Sequence, residues 1–222
     1  MRMWFRRPTH WERLLTGLVV LTLVLAGAAT RAAAGEPTDQ VRSSVDQVLQ
    51  VLRDPALKAP GRTTERRARI RQVVQARFDF GEMARRSLAT HWAGRSPQEQ
   101  KDFTTLFSDL LERSYIDKIE AYTDQKIAYA GERVDGDQAE VTTKVEGQKN
   151  LDVPITYRLL QRDGKWWVYD VVIEGVSLIA NYRTQFNKII QSSSYAELVK
   201  RMQTKREGEA AGDLGAPVSR PQ

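Results

Sequence analysis

The chain has 222 residues, of which 34 are Lys or Arg and 28 are Asp or Glu, and it contains no cysteine and two histidines. Without cysteine it can form no disulfide, no thiolate metal site and no cysteine nucleophile. The net charge of +6 is concentrated at the start, because residues 1–34 hold five arginines and one acid, and the rest of the chain carries only +2. This small remaining charge argues against a nucleic-acid partner.

The first 34 residues have the pattern of a secretory signal peptide. Arginines precede an apolar run of 16 residues, LLTGLVVLTLVLAGAA, and Ala32 and Ala34 occupy the −3 and −1 positions of a small-residue cleavage site. The run is shorter than the roughly 20 residues of a membrane-spanning helix, which is the alternative interpretation. We therefore predict cleavage after residue 34 and export of the mature protein.

Three long helices are predicted after the signal peptide. The first, in PTDQVRSSVDQVLQVLRDP, has apolar residues at helical spacing. The second, in TTERRARIRQVVQARFDF, has a basic face with Arg66, Arg67, Arg69 and Arg71. We interpret that face as solvated, with contact to anionic lipid or an acidic partner as the alternative. The third begins at a capping box of Ser96 and Glu99 and extends to about residue 122.

From residue 125 the apolar period changes to two, which predicts two β-hairpins. One turns at DGDQ and the other at RDG, residues 162–164. A three-residue loop at RDG would pair Leu159 with Trp167 and gather the apolar residues on one face. That face would hold Val153, Ile155, Tyr157, Leu159, Trp167, Tyr169, Val171 and Ile173.

Two more helices follow the strands, and residues 207–222 have the composition of a disordered tail. Helices, an antiparallel sheet and further helices together predict an α+β fold, with the helices packed on one sheet face.

The residues that could carry chemistry are few. His91 is the one histidine after residue 34, and we interpret it as structural or as part of the surface. Asp170 and Glu174 share the predicted outer face of the sheet, where we interpret them as solvated. The sequence contains no HExxH, no phosphate-binding loop and no GxGxxG motif. We therefore predict no catalytic residue, no metal and no cofactor.

One segment resembles a known family. The strand pair ends in W-x-V-x-D-x-x-I-E-G-V-S, residues 166–177, and N-Y-R-x-Q-F follows at residues 181–186. Together with FDFGEMARRSLATHW and LLERSYIDKIEAY, these motifs resemble the MlaC family, also called the toluene-tolerance auxiliary family. The resemblance extends over most of residues 35–205, and its C-terminal motif is the more specific part.

The resemblance implies a fold, a ligand and partners. The fold would be NTF2-like, with an antiparallel sheet, an added helical subdomain and an apolar pocket over residues 35–206. The ligand would be a phospholipid whose acyl tails are buried. The partners would be an inner-membrane ABC transporter with its substrate-binding hexamer and an outer-membrane lipoprotein–porin complex, between which the protein would shuttle lipid without catalysis.

The predicted pocket-lining residues follow from the apolar faces of the helices and the expected strand register. They are Phe107, Leu110, Leu111, Tyr157, Trp167, Tyr169, Val171, Ile179, Tyr182 and Phe186. The same pattern also fits an ordinary filled core, since periodicity does not separate filled from hollow. Two other functions therefore stay open: an NTF2-like periplasmic enzyme acting on an apolar small molecule, and an envelope adaptor that binds no lipid.

Overall fold

The computed structural model describes residues 37–122, 124–146 and 152–207. The predicted signal peptide and the predicted tail beyond residue 207 lie outside these ranges, so both stay predictions. Within the described ranges, no helix combines the length and the apolar character needed to cross a bilayer.

Helices precede and follow a single sheet. The helices before it are α1 (Pro37–Arg53), α2 (Pro55–Lys58), α3 (Thr63–Gln75), α4 (Phe80–Leu88), a short 3₁₀ turn (Ala89–His91) and α5 (Pro97–Glu120). The strands are β1 (Ile127–Asp135), β2 (Gln138–Val145), β3 (Val153–Arg162), β4 (Lys165–Ile173) and β5 (Val176–Ser177). The last helices are α6 (Leu178–Ser192) and α7 (Tyr195–Glu207). The strands pair antiparallel in chain order, so the predicted α+β fold is confirmed.

The predicted capping box begins α5. The Ser96 hydroxyl accepts a hydrogen bond from the Glu99 amide at 3.2 Å, and the Glu99 carboxylate accepts one from the Ser96 amide at 2.8 Å. Pro97 occupies the first turn, where no intrahelical donor is needed. The start of the longest described helix is therefore fixed by local sequence.

The register of the second hairpin differs from the prediction. The turn has two residues, Asp163 and Gly164, both with positive φ (50° and 71°), so the loop is the type I′ kind that matches strand twist. Leu159 pairs with Val168, where we predicted Trp167. Tyr169 is an extra residue in a β-bulge, because Arg158 pairs with Asp170 while Leu159 pairs with Val168.

The bulge explains the error. Without it, a two-residue loop would place polar and apolar residues on the same face, which is why we predicted three residues. With one extra residue in β4, Trp166 and Val168 before the bulge share a face with Val171 and Ile173 after it. This face packs against α1 and the start of α6. The predicted placement of Trp167 and Tyr169 on it is wrong.

The fully buried aromatic residues lie on the side of α4, α5, α6 and α7. Phe103, Phe107, Tyr182 and Phe186 are each 0% exposed, and their ring centroids lie 5.4 to 6.0 Å apart in the contacting pairs. We call these four residues the aromatic core. Edge-to-face contacts at this distance are favourable beyond the burial of area alone, so this side is solidly packed.

Candidate functional site

The other side of the molecule is hollow. A cavity of about 240 Å³ lies between α3, α5 and the inner face of β3 and β4. Its walls are mainly apolar, with the polar exceptions at the edge. The lining residues include Ile70, Val74, Phe78, Phe80, Met83, Leu111, Tyr115, Ile116, Ile119, Ile155, Tyr157, Val171, Ile173 and Leu178. We call this space the α5 compartment.

A second cavity of about 500 Å³ extends between α1, α3, the end of α5 and the sheet. Its lining adds residues of α1, β1 and β2, namely Val41, Val45, Val48, Leu49, Leu52, Ile127 and Val145. We call it the α1 compartment. The two compartments share Val74, Phe78, Tyr115, Ile119, Ile155, Tyr157 and Ile173 as lining residues. They therefore adjoin and form one bipartite apolar site.

Two tyrosines place hydroxyl groups near this site. Burial raises the pKa of Tyr157, with a hydrogen bond to Thr143 opposing the shift, and burial raises the pKa of Tyr115. Both phenols are therefore neutral at physiological pH. A neutral phenol is a weak acid and a weak base there, so these groups suit an uncharged apolar ligand better than proton transfer.

Charged residues border both compartments, with Arg77 and Lys118 lining the α1 compartment. Arg71 and Glu112 are among the lining residues of the α5 compartment, and their side chains form an ion pair at 2.5 Å. Within the described residues, no group of three or more His, Cys, Asp or Glu side chains is positioned to hold a metal ion. The described lining is thus mainly apolar, with one ion pair at the α5 compartment and two cationic residues at the α1 compartment.

Arg77 attaches α1 to the sheet beside the α1 compartment. Its guanidinium donates to Gln40 Oε1 at 2.5 Å, to Ser44 Oγ at 3.1 Å and to the Trp166 carbonyl at 2.7 Å. Burial lowers the pKa of Arg77. A buried guanidinium is tolerated only when its donors are satisfied, so these bonds fix the spacing between α1 and β4.

The junction between β4 and α6 is built on Asp170. This carboxylate is 3% exposed, accepts hydrogen bonds from Ser177 Oγ (2.6 Å) and the Ile179 amide (3.1 Å), and pairs with Arg158 at 3.2 Å. Our interpretation of Asp170 as solvated is wrong, because the start of α6 covers it. The turn itself uses positive φ at Glu174 and Gly175, 50° and 81°. An anion at a helix N-terminus is stabilising, so Asp170 holds α6 against the sheet.

Three of the predicted pocket residues, Leu111, Tyr157 and Val171, line the α5 compartment. The other seven lie elsewhere. Phe107, Leu110, Tyr182 and Phe186 are fully buried in the packing around the aromatic core, and Ile179 joins the same cluster. Trp167 lines a polar surface depression, and Tyr169 lies under the guanidinium of Arg86.

Sequence reasoning missed the contribution of the first two long helices to the site. Their apolar stripes were visible in the sequence, as Val41 and Val45 on α1 and Ile70 and Val74 on α3. The pattern gave no reason to place them around a hollow. His91, the predicted structural histidine, lies with Nε2 2.9 Å from Asn187 Oδ1.

Comparison with known proteins gives the family of this chain. The family model described as "MlaC protein" matches residues 42–204, well over half of the chain. The chain belongs to the MlaC family. This confirms the resemblance that the strand–turn–helix motif indicated.

Individual MlaC relatives are distant in sequence. The chain is 24% identical over 192 residues to the intermembrane phospholipid transport system binding protein MlaC of Haemophilus influenzae, covering 83% of this chain and 90% of that protein. It is 28% identical over 97 residues to the toluene tolerance protein ttg2D of Pseudomonas putida, covering 43% of this chain and 45% of that one.

A solved structure is also similar. A phospholipid-binding protein from Ralstonia solanacearum, determined in complex with a phospholipid, matches with a TM-score of 0.70 and 25% identity. The match covers 78% of this chain and 98% of that chain.

The residues of the first motif segment, 166–177, lie in two kinds of place in this structure. Val168 and Ile173 line the α1 compartment, and Ile173 also lines the α5 compartment. Asp170 and Ser177 hold the junction, where Ser177 caps α6 by accepting from the Ala180 amide at 3.0 Å. The motif therefore encodes the angle at which α6 leaves the sheet.

Proposed function

We propose that this protein is a non-catalytic periplasmic phospholipid carrier, which shuttles lipid between an outer-membrane lipoprotein–porin complex and an inner-membrane ABC transporter with a substrate-binding hexamer. The observation that carries the proposal is the bipartite apolar cavity in a chain of the MlaC family. The names of the Haemophilus and Ralstonia relatives, a phospholipid transport component and a phospholipid-binding protein, support the same ligand class.

The cavity suits a ligand with two apolar chains. Its two compartments adjoin at Tyr157 and Phe78, so a molecule with two tails can place one in each. Pockets for drug-sized ligands have volumes of about 300–1,000 Å³, and the two compartments together fall in that range. The mainly apolar lining provides no set of polar groups for a sugar, a nucleotide or a peptide.

Physical chemistry explains why such a carrier is needed. Exposing an acyl chain to water costs about 0.8 kcal/mol per CH₂, so two chains of roughly 15 carbons cost on the order of 20 kcal/mol. A phospholipid therefore does not cross an aqueous compartment unshielded at a useful rate. The carrier needs an apolar interior, and the sequence has no nucleotide-binding motif, so energy for directed transport would come from the ABC transporter.

The two alternative functions fit the site less well. An enzyme would need a positioned acid or base, while the described lining offers phenols kept neutral by burial and a Glu112 engaged by Arg71. An adaptor without lipid would be expected to have a filled core, and the cavity argues against that.

Mass spectrometry of the purified protein tests the proposal. We would express the full chain in a Gram-negative host, isolate the exported protein, and identify co-purifying lipids by native mass spectrometry and by organic extraction. We expect close to one phospholipid per protein. After removal of lipid, incubation with vesicles of phosphatidylethanolamine and phosphatidylglycerol should restore the complex. A protein that is empty on purification and stays empty after incubation would exclude the carrier and favour the adaptor.

A further inference from the structure

A row of ion pairs joins α3 to α5 along the edge of the α5 compartment. The pairs are Arg66–Glu120 at 2.7 Å, Arg67–Glu120 and Arg67–Asp117 at 2.6 Å each, and Arg71–Glu112 at 2.5 Å. We call these six residues the α3–α5 clasp. The sequence predicted a solvated basic face on α3, and Arg71 is indeed 52% exposed, but Arg66 is only 18% exposed, and Arg66, Arg67 and Arg71 each reach an acid on α5.

The clasp borders the cavity directly. Arg71 and Glu112 are lining residues of the α5 compartment, next to Ile70 and Val74 on α3 and Leu111 on α5. The inward side of α3 therefore faces empty space across from Tyr157 and the sheet. A ligand that moved between α3 and α5 would enter the cavity between two apolar walls, once the charges at the edge had parted.

Little else fastens this helix to α5. Ile70 is 1% exposed and forms a small apolar cluster with Leu52 of α1 and Ile116 of α5. Val74 of α3 and Ile119 of α5 pack against this cluster, and the clasp adds the ion pairs. On the opposite side of α5, by contrast, the aromatic core joins α5 to α6 without a gap.

The clasp has the properties of a contact that opens easily. The side chains of Arg71 and Asp117 are 52% and 79% exposed, so water and salt screen their pairs. Arg66 and Glu120 are more enclosed, at 18% and 12%, and give the clasp its most shielded point. Ion pairs separate without exposing apolar surface, so opening them costs far less than opening an apolar interface of the same length.

We propose that α3 is a movable wall of the cavity, and that the α3–α5 clasp sets the rate at which phospholipid enters and leaves between α3 and α5. This inference rests on the proposed carrier function. It separates two quantities: the apolar lining determines how much lipid is held, and the clasp determines how fast it exchanges.

The first test measures exchange rates. The double variant Asp117→Asn and Glu120→Gln removes the carboxylates that face Arg66 and Arg67, and neither position lines the cavity. Lipid-free protein is mixed with phosphatidylcholine vesicles that contain phosphatidylethanolamine with a fluorescent acyl chain, and uptake is followed by fluorescence. We expect uptake about fivefold faster than in the wild type, with occupancy at equilibrium within twofold.

Glu197→Gln is the matched control. Its pair with Arg201 is comparably exposed but lies on α7, away from the cavity. We expect this variant to exchange lipid at the wild-type rate. Added NaCl should speed uptake by the wild type and the control, and should speed it less in the double variant, which keeps only the Arg71–Glu112 pair of the clasp. Equal uptake rates in the double variant and the control would overturn the inference.

Two further measurements keep the outcome decisive. Hydrogen–deuterium exchange of residues 63–75 in lipid-free protein should be faster in the double variant, and unchanged exchange there would overturn the movable wall even if no lipid were taken up.

The chain has no cysteine, so Arg71→Cys with Glu112→Cys, joined by a short bis-maleimide, closes this edge alone. We expect joined protein to take up no lipid, and undiminished uptake would overturn the inference.

A wild type that never takes up lipid would instead overturn the proposed function.

Discussion

One helix, α5, serves two sides of the protein that have similar composition and opposite packing. Phe107 on one side lies 5.4 Å from the ring of Tyr182 and 5.6 Å from that of Phe186, with no space between them. Tyr115 and Leu111 on the other side line a cavity. Aromatic and aliphatic residues occur on both sides, so residue type alone does not make one side solid and the other hollow.

The difference comes from how the opposite wall is attached. On the solid side, the buried Asp170 holds α6 tightly against the sheet, and the side chains of α6 fall directly onto α5. On the hollow side, long arginine side chains link α3 to α5 and α1 to β4, and Ile70 and Val41 are the buried apolar contacts beside them. Long side chains act as spacers that keep the helices of the hollow side apart from their neighbours. On the solid side, short apolar contacts bring the helices together. The predictions below test this contrast, beginning with the largest effect on stability.

Truncation of the aromatic core should be the most damaging change. We expect Phe107→Ala to lower the free energy of unfolding by about 4 kcal/mol, because it removes a fully buried ring and leaves a void. Phe78→Ala, which removes a partly buried ring beside existing space, should cost only about 2 kcal/mol. Urea unfolding followed by circular dichroism measures both. Equal losses would mean that the two sides are packed alike.

The junction should be nearly as sensitive. Asp170→Asn removes a buried charge that pairs with Arg158 and accepts from Ser177 and the Ile179 amide, and we expect a loss of about 3 kcal/mol. The control is Glu174→Gln, an exposed acid in the same turn, which should change stability by less than about 0.5 kcal/mol. If Asp170→Asn were as mild as the control, Asp170 would not be what attaches α6.

The pH dependence of the unfolding free energy tests the contribution of Glu82, on α4, to the stability of the solid side. The hydrogen bond from Arg85, with another from Arg86, holds the pKa of Glu82 at about 2, below its ordinary value of 4.5. A carboxyl whose pKa is lower in the folded state stabilises the fold above pH 4.5, and this stabilisation is lost as the pH falls toward 2. We expect the wild type to lose about 2 kcal/mol more than Glu82→Gln over that range.

The readout is the unfolding free energy in urea at several pH values between 6 and 2. Glu65→Gln serves as the control, since its pair with Arg62 is exposed on the surface of α3. It should follow the wild-type pH dependence. Parallel curves for the wild type and Glu82→Gln would show that Glu82 has no special role in the acid stability of the solid side.

Filling the hollow should affect stability least and ligand binding most. Val171→Trp places a large ring in the α5 compartment, where space already exists, and we expect a stability change below about 1.5 kcal/mol. Phospholipid bound per protein, measured by native mass spectrometry, should fall at least severalfold. Val172→Trp, one residue along on the opposite face of β4, should keep its lipid. Equal loading of the two variants would show that this wall does not contact the ligand.

The sequence predicted the elements well and the site only in part. Local signals such as the Ser96 capping box and the two hairpin turns determine where α5 and the strands begin and end. The inner face of the sheet was predicted correctly for Tyr157 and Val171. The errors at Trp167 and Tyr169 have one cause, the bulge, which no local signal in the apolar pattern marks.

The remaining differences concern tertiary contacts. Nothing in the spacing of Phe107, Tyr182 and Phe186 distinguishes a filled core from a pocket wall, because that depends on which helix lies opposite. Likewise, the basic face of α3 resembles an ordinary solvated surface until Glu112 and Glu120 are seen to face it. Ion pairs between residues 41 to 54 positions apart have no periodic signature.

The bulge at Tyr169 bears on how this fold changes over evolutionary time. An extra residue in one strand bends and twists it locally, which adds curvature to the sheet over the cavity. Deleting that single codon would leave Trp166, Val168, Val171 and Ile173 on the same face, since the alternation on either side would join without a shift. A lineage could therefore flatten or deepen the sheet, and so resize its cargo space, by gaining or losing one residue that does not line the cavity.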